Sequence, residues 1–303
     1  MLQQSSIRFT SLIVAFSCVI VLLDGWEQGT SSSILGSAAA AEEAERPEEL
    51  GSLEGSDGPT EIDSMEIILE MAREGHERIQ NEIRDYSCLL IKRERVQGRL
   101  GDYHYMYAKV RHARDTAGQG AAAPFSVYLR FLGPPELKGR EVLYVDGEND
   151  GLLIARKGGL RFASVTTELD PTSELAMRDN RYPLTEFGIE NLVRRFVEVV
   201  EEGVLLQDCT IQLLEGAKVD GRPCMCIEVK QRGTLENRAE FYLARVYIDD
   251  ELRVPIHYEA FGWPESDDGS PRLLEQYTYR DLKLNIGLDD DDFSRGNPAY
   301  GFR

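Results

Sequence analysis

Two periodicities divide the chain. From residue 86 onward apolar side chains recur mostly at every second position. In "FYLARVYI", Tyr242, Ala244, Val246 and Ile248 alternate with Phe241, Leu243, Arg245 and Tyr247. Such alternation puts the two sets on opposite faces of a strand. It predicts strands near 86–97, 103–113, 125–132, 139–146, 151–156 and 160–165, and again near 205–215, 222–231, 240–249, 254–261 and 273–284. Turn-forming residues separate them: Gly98, Gly101, "TAGQGAAAP" at 116–124, "GPP" at 133–135, "DGENDG" at 146–151 and "KGG" at 157–159. Two stretches follow a 3.6-residue period instead. Met65, Ile68, Leu69, Ala72, Ile79 and Ile83 form one helical stripe behind the candidate caps Thr60 and Ser64, with Gly75 in its middle. Ile189, Leu192, Val193, Phe196, Val197 and Val200 form the other, introduced by Pro183 and Thr185 and ended by Gly203. Residues 166–186 read as irregular, and the closing "LDDDDFSRGNPAYGF" as a solvated tail.

Six strands, a helix and five further strands exceed what a twisted open sheet carries without curling. The pattern therefore predicts a mainly β, α+β fold. Residues 61–303 are expected to form a single domain, a curled, half-open antiparallel β-barrel of about eleven strands with helices packed on or into it.

The first 60 residues read differently. Arg8 precedes the 12-residue apolar run "LIVAFSCVIVLL" at 12–23. That is too short to span a bilayer and matches a signal-peptide core of about 7–15 residues. Small residues at 36–43, "GSAAAAEE", offer a cleavage site near 39–41. Residues 1–41 are expected to be a signal peptide, and 42–60, "EEAERPEELGSLEGSDGPT", a disordered acidic linker. The alternative is a retained N-terminal anchor. Cleavage predicts an exported chain, periplasmic or envelope-associated and not integral to the membrane.

Composition narrows the partners. The formal net charge is −19, from 53 acidic and 34 basic residues. That excess disfavours nucleic acid, which needs a basic surface, and general adhesion to anionic membranes. No G-x-S-x-G, H-E-x-x-H or Walker-type motif occurs. His76, His104, His112 and His257 are scattered. His104 and His112 are eight positions apart on one strand, about 26 Å, too far to share a metal. The acidic loops 146–151 and 288–296 lack the calcium-loop pattern. No catalytic residue, metal site or cofactor is predicted, and the chain is not expected to be an enzyme.

Export would permit disulfides among Cys88, Cys209, Cys224 and Cys226, which allow three connectivities. Cys224 and Cys226, two apart on one strand, lie about 6.6 Å from each other, near the upper limit for a bridge. At least one disulfide is expected, joining Cys88 or Cys209 to the strand that carries Cys224 and Cys226.

Three segments carry a family resemblance: "VYLRFLGPPELKGREVLYVDGENDGLLIARKGG" at 127–159, "RYPLTEFGIENLV" at 181–193 and "NPAYGFR" at 297–303. In this order behind a signal peptide they resemble the DUF1571 proteins of planctomycete-type bacteria, over roughly residues 65–303. The hairpin at 240–264 is similar to one in the wider group of LolA/LolB-like envelope proteins, which includes lipoprotein carriers. That similarity implies an open antiparallel barrel of about eleven strands, a helical lid and an apolar cavity for acyl chains. The expected function is a non-enzymatic carrier or binding protein, in lipoprotein transport or a related role, holding a lipid or lipid-anchored ligand. The alternative is a structural or sensory envelope module that binds a protein partner, its barrel filled by its own side chains. The candidate ligand-lining residues are Val127, Leu129 and Phe131 on one strand, and Val246, Ile248, Ile256 and Tyr258 on the hairpin. Arg130 and Arg245 occupy the alternate faces, and unpaired charge is costly to bury, which points these sets inward.

Overall fold

A computed structural model of the chain describes residues 60–61, 65–114, 123–159, 165–201, 209–232, 241–265 and 269–302. The expected signal peptide, nearly all of the linker, the 116–122 turn, most of the 160–165 strand and the helix stop at Gly203 lie outside the described residues.

The first helix, α1 (Met65–Glu82), leads into a meander. Its strands are β2 (Asp85–Val96), β4 (His104–Arg111), β5 (Ser126–Gly133), β6 (Glu141–Val145), β7 (Leu153–Arg156) and β8 (Thr166–Leu169). The two-residue strands β1 (Thr60–Glu61) and β3 (Arg99–Leu100) add short pairings. A one-turn helix, α2 (Glu174–Met177), and then α3 (Ile189–Glu201) follow. A second meander runs through β9 (Cys209–Val219), β10 (Arg222–Gln231), β11 (Leu243–Asp249), β12 (Pro255–Gly262) and β13 (Arg272–Leu284). All neighbours pair antiparallel in one thirteen-stranded sheet, ordered β1-β9-β10-β11-β12-β13-β2-β4-β5-β6-β7-β8, with β3 on β2. The second meander returns so that β13 pairs with β2, for example Tyr279 opposite Leu90. The link from β8 to β9 therefore has to cross from one sheet edge to the other, and α3 lies on that link.

Register shifts interrupt the ladders at Tyr105/Met106, Cys224/Cys226, Tyr247/Ile248, Ala260/Phe261 and Arg280/Lys283. Each bulge bends its strand and sharpens the twist, which is how so wide a sheet curls. The inner face receives both long helices. Ile68, Ile79 and Ile83 of α1 and Ile189, Leu192 and Val193 of α3 are buried in one core with Leu90, Ala108, Val127 and Leu129 of the sheet. Val127, Leu129 and Phe131 are all at most 1% exposed, whereas Arg130 on the opposite face is exposed.

The tail is not simply solvated. Phe293 and Phe302 are buried on the outer face against Tyr128, Leu143, Val145 and Ile154. Tyr300 stacks on Tyr128 with ring centroids 3.8 Å apart. Lys109 binds Asp292 at 2.5 Å, and the Gly301 amide donates to Glu141 at 2.8 Å. Glycine fits there because a Cβ at residue 301 would lie 2.5 Å from the Arg156 guanidinium carbon. The aspartate run starts this strap rather than ending the fold: Asp289 caps the turn Asp290–Phe293 with a reciprocal capping box. In the stretch expected to be irregular, β8 extends the sheet edge and Ser173 caps α2.

Candidate functional site

α1 and α3 do not seal the whole inner face. Between them and β10–β12 lies an apolar cavity of about 260 Å³. Strand alternation supplies one wall: Met225, Ile227 and Val229 from β10, then Ala244, Val246 and Ile248 from β11, with Pro255 and Tyr258 from β12. The helical stripes supply the other, with Ile79 from α1 and Leu192 and Phe196 from α3. The β11 wall from Ala244 to Ile248 is about 13 Å long, and α1 lines the cavity over about 12 Å from Met71 to Ile79.

Gly75 sits in the α1 wall. A Cβ built on it would meet nothing within 4 Å. Packing therefore does not demand glycine, although glycine inside a helix costs about 1 kcal/mol relative to alanine. Among the described residues, only Glu74, Arg78 and Arg253 bring charge to the lining. Arg78 is fully committed. Its Nε donates to Glu82 at 2.9 Å, and its two Nη atoms donate to the carbonyls of Arg253 at 2.7 Å and Leu252 at 3.0 Å. That fork pins the β11–β12 turn beneath α1.

Below the cavity, Tyr258 connects to a buried polar network. Its hydroxyl donates to Glu275 at 3.4 Å, as does that of Tyr182. Arg181 Nε lies 2.9 Å from the other Glu275 oxygen. Glu94 accepts from Lys92 at 2.9 Å and from the Tyr277 hydroxyl, and Lys92 also donates to Asn180 at 2.7 Å. Two buried carboxylates thus face two cations, Lys92 fully buried and Arg181 partly exposed. Such burial is tolerated only when every charge is paired. Burial raises the Glu275 carboxyl to about 8, with Arg181 opposing and Glu94 adding to the shift. Nearby His104 is pushed down to about 3 by burial and by the Lys92 and Arg140 charges. The network ties residues 180–182 to β2 and β13. The chain then continues over the inner face: Tyr182, Leu184 and Phe187 are buried there, and the Ile189 amide donates to the Tyr86 hydroxyl at 3.2 Å.

The candidate lining residues fall into two groups. Val246, Ile248 and Tyr258 line the cavity. Ile256 is buried next to Pro255 at the bulge, where Ile248 pairs with Pro255. Val127, Leu129 and Phe131 lie on the same inner face but in closed core, Phe131 between Arg140 and His104. The helical lining and the β10 wall were not among the candidates. Glycine in the middle of an amphipathic stripe was the available signal for α1.

The expected disulfide is not formed: no bridge joins Cys88, Cys209, Cys224 or Cys226, the four cysteines among the described residues. Cys209 pairs opposite Gln231, five residues along β10 from Cys226, about 16 Å away. Cys88 is on β2, four strands from β10. A bridge needs Cα atoms within about 7 Å. Burial raises the Cys226 and Cys224 thiols to about 12, which leaves them unreactive.

The structure is thus a curled, half-open antiparallel sheet with helices across its inner face. The chain belongs to the family described as "Protein of unknown function (DUF1571)", whose model matches residues 83–302. No curated protein matches it. Among solved structures, the chain is similar to MucB in the Pseudomonas aeruginosa MucA/MucB complex, at 14% identity and a TM-score of 0.42, over 75% of this chain and 60% of that one. It is similar to a putative outer membrane lipoprotein-sorting protein domain from Vibrio parahaemolyticus, at 13% identity and a TM-score of 0.34, over 75% and 96%. It is also similar to the LolA superfamily protein NE2245 from Nitrosomonas europaea, at 12% identity and a TM-score of 0.29, over 75% and 97%.

Proposed function

We propose that this protein is an exported, non-enzymatic binding protein that holds one acyl chain of a lipid or lipid-anchored ligand between α1, α3 and β10–β12. The observation that carries the reading is the cavity: elongated, apolar apart from its rim, and left open beside a helical glycine that packing does not require. Ligand sites are usually apolar concavities with few placed polar groups, commonly of about 300–1,000 Å³. At about 260 Å³ this one suits a single chain better than two. The polar network beneath it offers no free nucleophile or base, because its groups bind one another.

The other half of the inner face supports a second reading. There the barrel is filled by its own side chains, as a module that binds protein through its outer surfaces would allow. Native mass spectrometry of the exported protein decides between the two. The acyl-chain reading expects a lipid-sized mass on the folded protein that organic extraction releases. Protein that carries no lipid from its own cells, and takes up none when offered, leaves the partner-binding reading.

A further inference from the structure

We propose that the ligand is a single-chain amphiphile with an anionic head, and that Arg253 binds that head at the mouth of the cavity. The inference rests on the reading of the cavity as an acyl-chain site. Of the three charged lining residues, Arg78 has spent its guanidinium on Glu82 and two carbonyls. Arg253 stands in the β11–β12 turn with a left-handed φ of 57°. Its backbone is held on both sides: the amide donates to the Asp249 carbonyl at 2.8 Å and the carbonyl accepts from Arg78. Asp249 braces the same turn by accepting from the amides of Glu251 and Leu252 and from Arg222. A non-glycine residue in this conformation persists where its surroundings hold it. Its side chain is exposed and has no hydrogen bond or ion pair among the described residues. In a chain with 53 acidic and 34 basic residues, that leaves an unpaired guanidinium at the edge of an apolar cavity. Its planar fork suits a carboxylate or a phosphate.

Glu74 sets the direction. It lies one helical turn before Arg78, where α1 also carries Glu66, Glu70 and Glu77; the cation beside them, Arg73, is paired with Glu201, and no cation pairs with Glu74 among the described residues. A negative head is repelled from that end and attracted to Arg253. The chain then runs from Ile248 along β11 towards Ala244, with its methyl end away from the turn.

Calorimetric titration with dodecanoate, dodecyl phosphate and 1-dodecanol, at low salt and pH 8, tests this. Wild type is expected to bind the two anions about 10–100-fold more tightly than the alcohol, the size of a charge-assisted hydrogen bond. Arg253→Gln should abolish that preference without changing alcohol binding, Arg253→Lys should keep part of it, and added salt should shrink it. The stronger of the two anions identifies the head as carboxylate or phosphate. Equal binding of alcohol and anions, or a preference that survives Arg253→Gln, overturns the role of Arg253 while the acyl-chain reading stands. If none of the three binds, both fall.

Discussion

The two halves of the inner face are built from the same alternating strands but are covered differently. Over β2, β4 and β5 the cover is the segment around residues 180–189. It is anchored by the Arg181 amide, which donates to Glu94, and by the Arg181–Glu275 ion pair, and it fills the space with Tyr182, Leu184 and Phe187. Over β10–β12 the cover is a pair of amphipathic helices, one with a glycine gap, and a cavity remains. What separates closed core from open cavity in this sheet is therefore its cover. A polar-braced segment fixes one geometry and seals it. The two helices pack into the same core through Ile68, Ile79, Ile83, Ile189 and Leu192, yet over β10–β12 they leave room beneath them, closed at the rim by contacts such as Arg78 with the β11–β12 turn.

The largest expected effect follows from this contrast. Leu129→Ala in the closed half should cost about 2–5 kcal/mol, because it opens a new void in packed core. Val246→Ala should cost about 1 kcal/mol or less, because that side chain already borders empty space and is only half-buried. Leu129→Asp should not fold. Denaturant unfolding of the two alanine variants checks this, and equal losses would erase the distinction between the halves.

The next effect concerns the brace. Glu275 titrates near 8 in the folded chain and near its ordinary value, about 4.3, when unfolded. Between those values the folded state holds the extra proton. Its contribution to stability is complete below about pH 4, falls as pH rises, and is gone above about pH 8. In Glu275→Gln, which mimics the protonated carboxyl, stability should decline less between pH 5 and 8 than in wild type. Parallel curves would remove Glu275 from the account. The smallest effect is on the outer face, where Arg130→Asp should change stability by no more than about 0.5 kcal/mol.

Alternation in the sequence located every long strand, since a half-buried strand must alternate whatever it faces. It missed β8, four residues with no buried side chain between breakers such as Asp170 and Pro171. It also misjudged the tail. Phe293, Tyr300 and Phe302 follow no period, and their partners on β5–β7 come together only once the sheet has formed. Choosing the less charged face put Val246, Ile248 and Tyr258 on the cavity wall, but the same rule put Val127, Leu129 and Phe131 in closed core. Strand pattern reports which face points inward and carries no information on what covers it. The network escaped notice for a similar reason. Lys92 and Glu94 share parity with Tyr86, Cys88 and Leu90, yet their partners Asn180 and Tyr277 are remote in sequence.

The most direct test of the open half is lipid occupancy of Gly75→Leu beside wild type, read together with thermal unfolding. Because a Cβ at residue 75 meets nothing within 4 Å, the leucine should fill the cavity without disturbing the helix. It should also relieve a helix penalty of somewhat under 1 kcal/mol. The account predicts a variant at least as stable as wild type that no longer retains lipid. A Gly75→Leu protein that is equally stable and carries as much lipid as wild type would contradict it.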